Sequence, residues 1–338
     1  MIEWPRMLLS TLLLAGLCAH LPVSAASEDT TADAYAMPGQ LVRLADGRAL
    51  NLRCSGEGSR VVVLEAGGNA DSSTWFRVQP RLASHARVCA YDRAGYGFSD
   101  EGRRPRDLDA VVADLNALIA AAGLPLPAIL VGHSLGSNIV RRYAQLHPSE
   151  VAGLVLVDPP EQGADDQMPA AWQAEAAAGI AQRDAFIDGC EAAAEANDVE
   201  TIQERCLRAP PPWMSERVAA AMKRNKSRPA YWRTLRSELE QNIGIYSAPV
   251  PVDESYGSIP LVLLQAPDQV DDAPDDVRRV IAAARRQTNA RILAASTQGV
   301  AIEVRESSHD IQLDRPEAVV AAVRRLLDAS TETPAAGD

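Results

Sequence analysis

The sequence predicts an α/β fold in which a mostly parallel sheet is covered by helices on both faces. Short apolar stretches with the length of buried strands alternate with longer stretches that have helical spacing. This alternation occupies residues 40–159 and 259–328. Residues 160–258, between these two parts, contain Ala-rich helical stretches and no convincing buried strand. We therefore expect an α/β core with an inserted helical segment at residues 160–258, called the lid below.

The predicted elements of the core follow one another in a regular order. Two strands around the turn at Asp46 and Gly47 open the sheet, and strands then alternate with helices. The predicted strands are 40–44, 48–54, 61–65, 87–91, 129–131, 151–157, 259–265 and 301–305. The predicted helices are 75–82, 107–122, 138–146, 274–289 and 316–327, and Pro316 suits a first helical turn.

Charge and the N-terminal composition limit the compartment and the partners. The 338 residues carry a formal net charge of −12, which argues against nucleic acid or an anionic membrane surface as a partner. A basic residue, the apolar run 7–17 and small residues after it have the layout of a signal peptide cleaved after Ala25. We expect an exported protein, periplasmic or secreted, with a flexible segment at 26–39 and a disordered tail at 329–338. No stable membrane span is expected in the mature chain.

The segment from Gly132 to Gly136 has the pattern Gly-x-Ser-x-Gly between an apolar strand and a helix. A nucleophilic serine at such a turn is held in strained backbone geometry, and only small neighbours let the two chain segments approach. The backbone N–H of Leu135, at the start of the helix, would point toward an oxyanion on a substrate. The pattern predicts Ser134 as a nucleophile, whereas the alternative is a chance match of common residues.

The motifs along the core resemble those of the alpha/beta-hydrolase superfamily. The matching pieces are Ala66-Gly67-Gly68, the loop from Tyr91 to Gly97, the segment from Gly132 to Gly136, and Ser308-His309-Asp310. The resemblance covers residues 40–158 and 259–328. It implies an eight-stranded sheet with a helical lid, a Ser–acid–His triad in that chain order, and hydrolysis of an ester or related small-molecule acyl compound.

The resemblance also assigns roles to individual residues. His309 follows the last predicted strand and is the candidate base that activates the Ser134 hydroxyl. The backbone N–H groups of Gly68 and Leu135 would bind the oxyanion, a contribution of roughly 3–4 kcal/mol per donor in comparable sites. The remaining histidines have no such position and are expected on the surface, in the core or in the signal: His20, His85, His133 and His147.

Two positions compete for the triad acid. The family commonly places the acid after the seventh strand, where this chain has Asp268, followed by Asp271 and Asp272. Some members carry the acid after the sixth strand, where this chain has Asp158. Asp268 is slightly preferred, and Asp158 stays open as the alternative.

Other functions and cofactors are less favoured. A dehalogenase or epoxide hydrolase would need Asp at the position of Ser134, and a ligand-binding or receptor-like protein with little turnover remains as the alternative from another class. No metal or organic cofactor is implied, because the sequence has neither a metal-ligand cluster nor a phosphate-binding loop. One interpretation of Asp92 and Arg93 is contact with the substrate, and the preferred one is an ion pair that anchors the loop beside the nucleophile. The lid tryptophans either line an acyl pocket or pack helices together: Trp172, Trp213 and Trp232.

Four cysteines remain after removal of the signal peptide. An even number in an exported chain suggests two disulfides, with three possible pairings, and four free thiols are the alternative. The family sheet has its second strand beside its fourth, which would bring Cys54 to Cys89. Cys190 and Cys206 lie in helical patterns separated by the turn-like segment 196–198, so an antiparallel helix pair would join them.

Overall fold

A computed structural model of the protein describes residues 32–211, 214–267 and 273–329. Its eight strands form one sheet in the order β1-β2-β4-β3-β5-β6-β7-β8. The strands are β1 (Gln40–Arg43), β2 (Ala49–Ser55), β3 (Val61–Glu65), β4 (Arg87–Tyr91), β5 (Ala128–His133), β6 (Val151–Val157), β7 (Leu261–Gln265) and β8 (Gly299–Glu303). β2 pairs antiparallel with both β1 and β4, and all other pairs are parallel. The predicted mostly parallel sheet of eight strands is confirmed.

Helices cover both faces of this sheet. They are α1 (Gln79–Leu82), α2 (Leu108–Ala121), α3 (Leu135–Leu146), α4 (Ala170–Glu195), α5 (Val199–Thr201), α6 (Glu216–Lys226), α7 (Pro229–Ser247), α8 (Asp275–Ala294), α9 (Ile311–Asp314) and α10 (Pro316–Ala329). Successive side chains of a strand point to opposite faces. In β3, Val61 and Val63 therefore pack with α2 and α3, whereas Val62 and Leu64 pack with α1 and α10.

The described residues between β6 and β7 contain the helices α4 to α7, so a helical insertion is present. Its core is small and includes Ile187, Ile202, Trp232 and Leu235, packed against Tyr96 of the sheet domain. Among the described helices, none combines the length and the apolar character that a membrane crossing requires.

Both predicted cysteine pairs lie at disulfide distance. Cys54 and Cys89 face each other across β2 and β4, with Cα atoms 4.0 Å apart. Cys190 near the end of α4 lies beside Cys206, with Cα atoms 5.8 Å apart. The second pair joins the long helix α4 to the chain that returns along it.

Some local expectations differ from the structure. Residues 32–36 belong to the segment expected to be flexible, yet Tyr35 and Ala36 are buried against Phe76 and Val218, and apolar side chains account for this packing. The helix expected over 75–82 is divided into a 3₁₀ turn (Ser72–Trp75) and α1. The predicted signal peptide and its cleavage site at Ala25 lie outside the described residues, as does the tail beyond residue 329.

Candidate active site

Ser134 lies at the turn between β5 and α3 in an unusual backbone conformation. Its φ is +51° and its ψ is −122°, in the region that non-glycine residues rarely adopt. A Cβ atom on Gly132 would stand 2.3 Å from the carbonyl oxygen of Gly136, and one on Gly136 would stand 2.6 Å from that of Glu65. Only glycine therefore allows the strand and the helix to approach at this turn.

Asp158 follows the end of β6 and contacts His309. Asp158 Oδ2 lies 2.7 Å from His309 Nδ1. The other carboxylate oxygen, Oδ1, accepts a hydrogen bond of 2.9 Å from the Ala266 backbone N–H and another from the Arg285 guanidinium on α8. Asp158 is 4% exposed, so these contacts fix a buried carboxylate against the imidazole.

The contact with Asp158 changes the protonation of His309. The hydrogen bond to the carboxylate is the largest influence and raises the pKa of His309 above its ordinary value, while partial burial acts in the opposite direction. Asp158 contacts the imidazole through Nδ1. The other ring nitrogen, Nε2, is therefore the one available for proton exchange. A carboxylate on one ring nitrogen and a free second nitrogen is the arrangement of a histidine base.

Ser134, Asp158 and His309 line one cavity with a volume of about 540 Å³. Its other walls include Trp172 and Tyr246 of the lid. The structure thus brings the expected nucleophile, the expected base and the alternative acid to one place. The preferred acid, Asp268, lies outside the described residues, as do Asp271 and Asp272.

The two residues expected to bind an oxyanion lie on neighbouring segments. Leu135 is the first residue of α3, and Gly68 is an exposed residue of the loop after β3. A Cβ atom on Gly68 would stand 3.8 Å from the Leu135 side chain. Arg93 holds the loop after β3 in place. Its guanidinium donates hydrogen bonds to the carbonyl oxygens of Ala66 and Gly67, both at 2.7 Å.

The prediction of an ion pair between Asp92 and Arg93 is wrong. Asp92 accepts hydrogen bonds from the Asn51 side chain at 2.8 Å and from the backbone N–H groups of Ser72 and Phe98, both at 2.9 Å. It therefore organises its own loop through neutral donors.

Arg93 is paired with two buried carboxylates instead. Its guanidinium lies 2.7 Å from Glu65 Oε1 and 3.2 Å from Glu238 Oε2. Glu238 belongs to α7 of the lid and also accepts a hydrogen bond of 3.3 Å from the Asn69 backbone N–H. The lid thus reaches the loop that carries Gly68, a connection that the sequence pattern did not predict.

His133 supports the candidate base directly. Its buried ring lies 4.7 Å from the His309 ring between centroids, and its Nε2 lies 3.0 Å from the His309 carbonyl oxygen. Because a carbonyl only accepts, Nε2 carries the hydrogen, and Nδ1 can then accept from the Gln312 amide at 3.3 Å. Burial lowers the pKa of His133 to about 4, which keeps the ring neutral. The only sequence signal for this role is the position of His133 immediately before Ser134.

Comparisons with known proteins show the family to which the chain belongs. A family model described as "alpha/beta hydrolase fold" matches residues 60–242, just over half of the chain. An AB hydrolase superfamily protein of Gibberella zeae is 23% identical over 287 residues, which are 79% of this chain and 86% of that protein. A non-heme chloroperoxidase of Streptomyces lividans is 38% identical over 112 residues, which are 32% of this chain and 40% of that protein.

Solved structures show the same fold. An alpha/beta hydrolase fold protein from Burkholderia ambifaria superposes with a TM-score of 0.56 at 22% identity, over 85% of this chain and 98% of that one. At this identity the likeness concerns the fold alone. The chain spans less than half the length of the first relatives that it matches in sequence.

Proposed function

Because the chain belongs to the alpha/beta-hydrolase fold family, we propose that it is a serine hydrolase that cleaves an ester or related acyl bond of a small molecule. Ser134 is the nucleophile, His309 the base and Asp158 the acid. The observation that carries the proposal is that these three residues line one cavity, with His309 Nδ1 at 2.7 Å from Asp158 Oδ2.

The reaction follows from these positions. His309 Nε2 accepts the Ser134 hydroxyl proton as the oxygen attacks the acyl carbon, and Asp158 stabilises the imidazolium that forms. The backbone N–H groups of Gly68 and Leu135 bind the oxyanion of the tetrahedral intermediate. His309 then gives the proton to the leaving alkoxide, which leaves an acyl group on Ser134. A water molecule, deprotonated by His309, then attacks this acyl group. The bond between the acyl carbon and the Ser134 oxygen breaks, His309 returns the proton to Ser134, and the acid is released.

Asp158 is preferred as the acid because its carboxylate is already bound to His309 and to Arg285. The Arg285 guanidinium and the Ala266 backbone N–H also hold this carboxylate in its position against the imidazole. This assignment replaces the preference for Asp268 that the sequence alone suggests.

The nucleophile and base are tested by labelling and by turnover. The mature protein should react with a fluorophosphonate probe and hydrolyse p-nitrophenyl esters, and Ser134→Ala should lose both activities while keeping its circular dichroism spectrum. His309→Ala should lose turnover. Wild-type turnover in either variant would contradict the proposal, whereas probe labelling without turnover of any ester would favour the ligand-binding alternative.

The acid is tested with two matched variants. Asp158→Asn should lower kcat by about 10⁴-fold, as in comparable triads, whereas Asp268→Asn should have a mild effect. Because His309 must be neutral to accept a proton and its pKa is raised by Asp158, the acidic limb of kcat/KM should lie above about pH 6.5 in the wild type. In Asp158→Asn the limb should move to lower pH. The reverse ranking of the two variants would move the acid to Asp268.

The proposal includes export. Both cysteine pairs at disulfide distance are consistent with an oxidising compartment. N-terminal sequencing of the protein from the periplasm or the medium should begin at Ala26, and a full-length chain in the cytosol would contradict this part of the proposal.

A further inference from the structure

A second cavity, of about 680 Å³, lies within the lid. It is bounded by α4, by the segment that follows Cys206, by the end of α6 and by the first half of α7. Its apolar wall is built from Phe186, Ile187, Trp232, Leu235 and Leu239. This volume and this wall are typical of a site for a small molecule with a substantial apolar part.

The charged residues that line this cavity are all basic. They are Arg183, Arg205, Arg208 and Lys226, and the described lining includes no Asp or Glu. The whole chain has a formal net charge of −12, so four cations around one apolar cavity run against its overall composition. Arg183 is paired with Asp184, at 2.7 Å. The cavity therefore offers an excess of positive charge beside its apolar wall.

Arg205 and Arg208 are exposed and Arg183 has an acidic partner, whereas Lys226 is the last residue of α6 and differs from all three. It is half-buried, and its Nζ lies 5.3 Å from the centroid of the Tyr231 ring, in a cation–π arrangement. Within the described part of the chain, no carboxylate forms an ion pair with it. Burial lowers the pKa of Lys226, and the charge of Asp71 acts in the opposite direction. An ammonium group that has lost part of its water and lacks a carboxylate partner is suited to bind an anion.

The cavity extends to the loop of the candidate active site. Asn69 lines it and directly follows Gly68, the proposed oxyanion donor. The Tyr231 hydroxyl donates a hydrogen bond to Asn69 Oδ1, so the wall of the cavity and this loop are held together. A ligand that fills the cavity therefore lies against the loop that carries Gly68, whereas Ser134 lines the neighbouring cavity of about 540 Å³.

We propose that this cavity binds an aliphatic chain that ends in a carboxylate, with the apolar wall around the chain and Lys226 at the anionic end. The substrates would then be esters that carry such a chain, for example half-esters of aliphatic dicarboxylic acids. The position of the scissile bond rests on the proposed function, whereas binding of the anionic chain does not.

Binding is measured first, without turnover. Isothermal titration calorimetry of octanoate against the Ser134→Ala protein should show binding, and Lys226→Met in that background should weaken it at least tenfold, as expected for loss of a charge-assisted contact. The control Lys223→Met removes an exposed lysine from the same helix and should leave the affinity unchanged. Lys226→Arg should retain most of the affinity. Binding of 1-octanol should be insensitive to the Lys226 charge.

Turnover then tests the substrate class. Lys226→Met should lower kcat/KM at least tenfold for the mono-p-nitrophenyl ester of octanedioic acid, relative to p-nitrophenyl octanoate, which has a methyl group at the same chain end. Absence of octanoate binding, or equal losses for octanoate and octanol, would overturn the assignment of the cavity. If octanoate binds with the expected charge dependence but neither ester is cleaved, the proposed function fails and the cavity assignment stands. A thermal melt of each variant excludes unfolding as the cause.

Discussion

Replacing Arg93 with methionine should destabilise the protein, because it removes the positive charge that two buried carboxylates share beside the loop that carries Gly68. The Arg93 side chain is 1% exposed, and those of Glu65 and Glu238 are 0% and 4% exposed. The same guanidinium holds the carbonyl oxygens of Ala66 and Gly67, both at 2.7 Å. The substitution therefore leaves two carboxylates and two carbonyl groups without their principal donor.

The magnitude follows from the burial of this network. Breaking a buried ion pair by removal of one partner costs about 3–5 kcal/mol, because an uncompensated charge stays behind. At about 2 °C for each kcal/mol in a protein of this size, the melting temperature should fall by roughly 6–10 °C.

The loss should also depend on pH. Burial already raises the pKa of Glu65, and without Arg93 that pKa rises further. A raised carboxyl pKa in the folded state means that the folded protein binds more protons than the unfolded chain as the pH falls. The destabilisation of Arg93→Met relative to the wild type should therefore be larger at pH 8 than at pH 5.

Urea unfolding under non-reducing conditions, followed by circular dichroism at both pH values, measures this effect. Arg142→Met is the matched control, because Arg142 pairs with Asp109 at 2.6 Å in an exposed position, and its loss should cost less than about 1 kcal/mol. Adding Glu238→Gln to Arg93→Met should restore part of the lost stability. A loss no larger than that of the control, or a larger loss at pH 5 than at pH 8, would refute the reasoning.

Three further predictions follow from individual contacts. His133→Leu removes the hydrogen-bond donor to the His309 carbonyl and should lower kcat about tenfold. The acidic limb of the pH profile should not move, because His133 is already neutral above about pH 4. Gly136→Ala should cost at least about 1–3 kcal/mol in urea unfolding, since its Cβ would stand 2.6 Å from a backbone oxygen, whereas Gly179→Ala in the open part of α4 should be neutral or stabilising. Joint replacement of Cys190 and Cys206 by alanine should lower stability by about 3 kcal/mol, and non-reducing peptide mapping that joins either cysteine to a sheet cysteine would contradict their pairing.

The interior strands of the sheet can be predicted from the sequence, because parallel strands that are covered on both faces consist of continuous apolar runs. β3 is buried at all five positions, and β6 begins and ends at the predicted residues. β8 lies at the sheet edge with three of its five residues exposed, and its observed range begins two residues before the predicted one. The exposed residues interrupt the apolar pattern of β8, so the ends of this strand are poorly marked in the sequence.

Parts of the candidate site follow from local pattern and parts do not. The turn around Ser134 is local, because two glycines must flank it for the strand and helix to meet. The acid is a different case, since Asp158 and Asp268 both follow a predicted strand and the contact with His309 spans 151 residues of chain. The sequence offers no local feature that ranks one of these carboxylates above the other.

Electrostatics predicts that Arg93 has an acidic partner, but it does not identify that partner. An arginine in the loop directly after a buried strand needs a carboxylate partner, because an unpaired charge is costly in the interior. The adjacent Asp92 satisfies proximity in sequence, yet backbone N–H groups of its own loop occupy it. The partner from the lid, Glu238, is 145 residues away from Arg93 and is one of 45 acidic residues in the chain. Sequence reasoning can therefore predict that a buried cation at this position is paired, whereas the choice of partner depends on how the lid packs against the sheet.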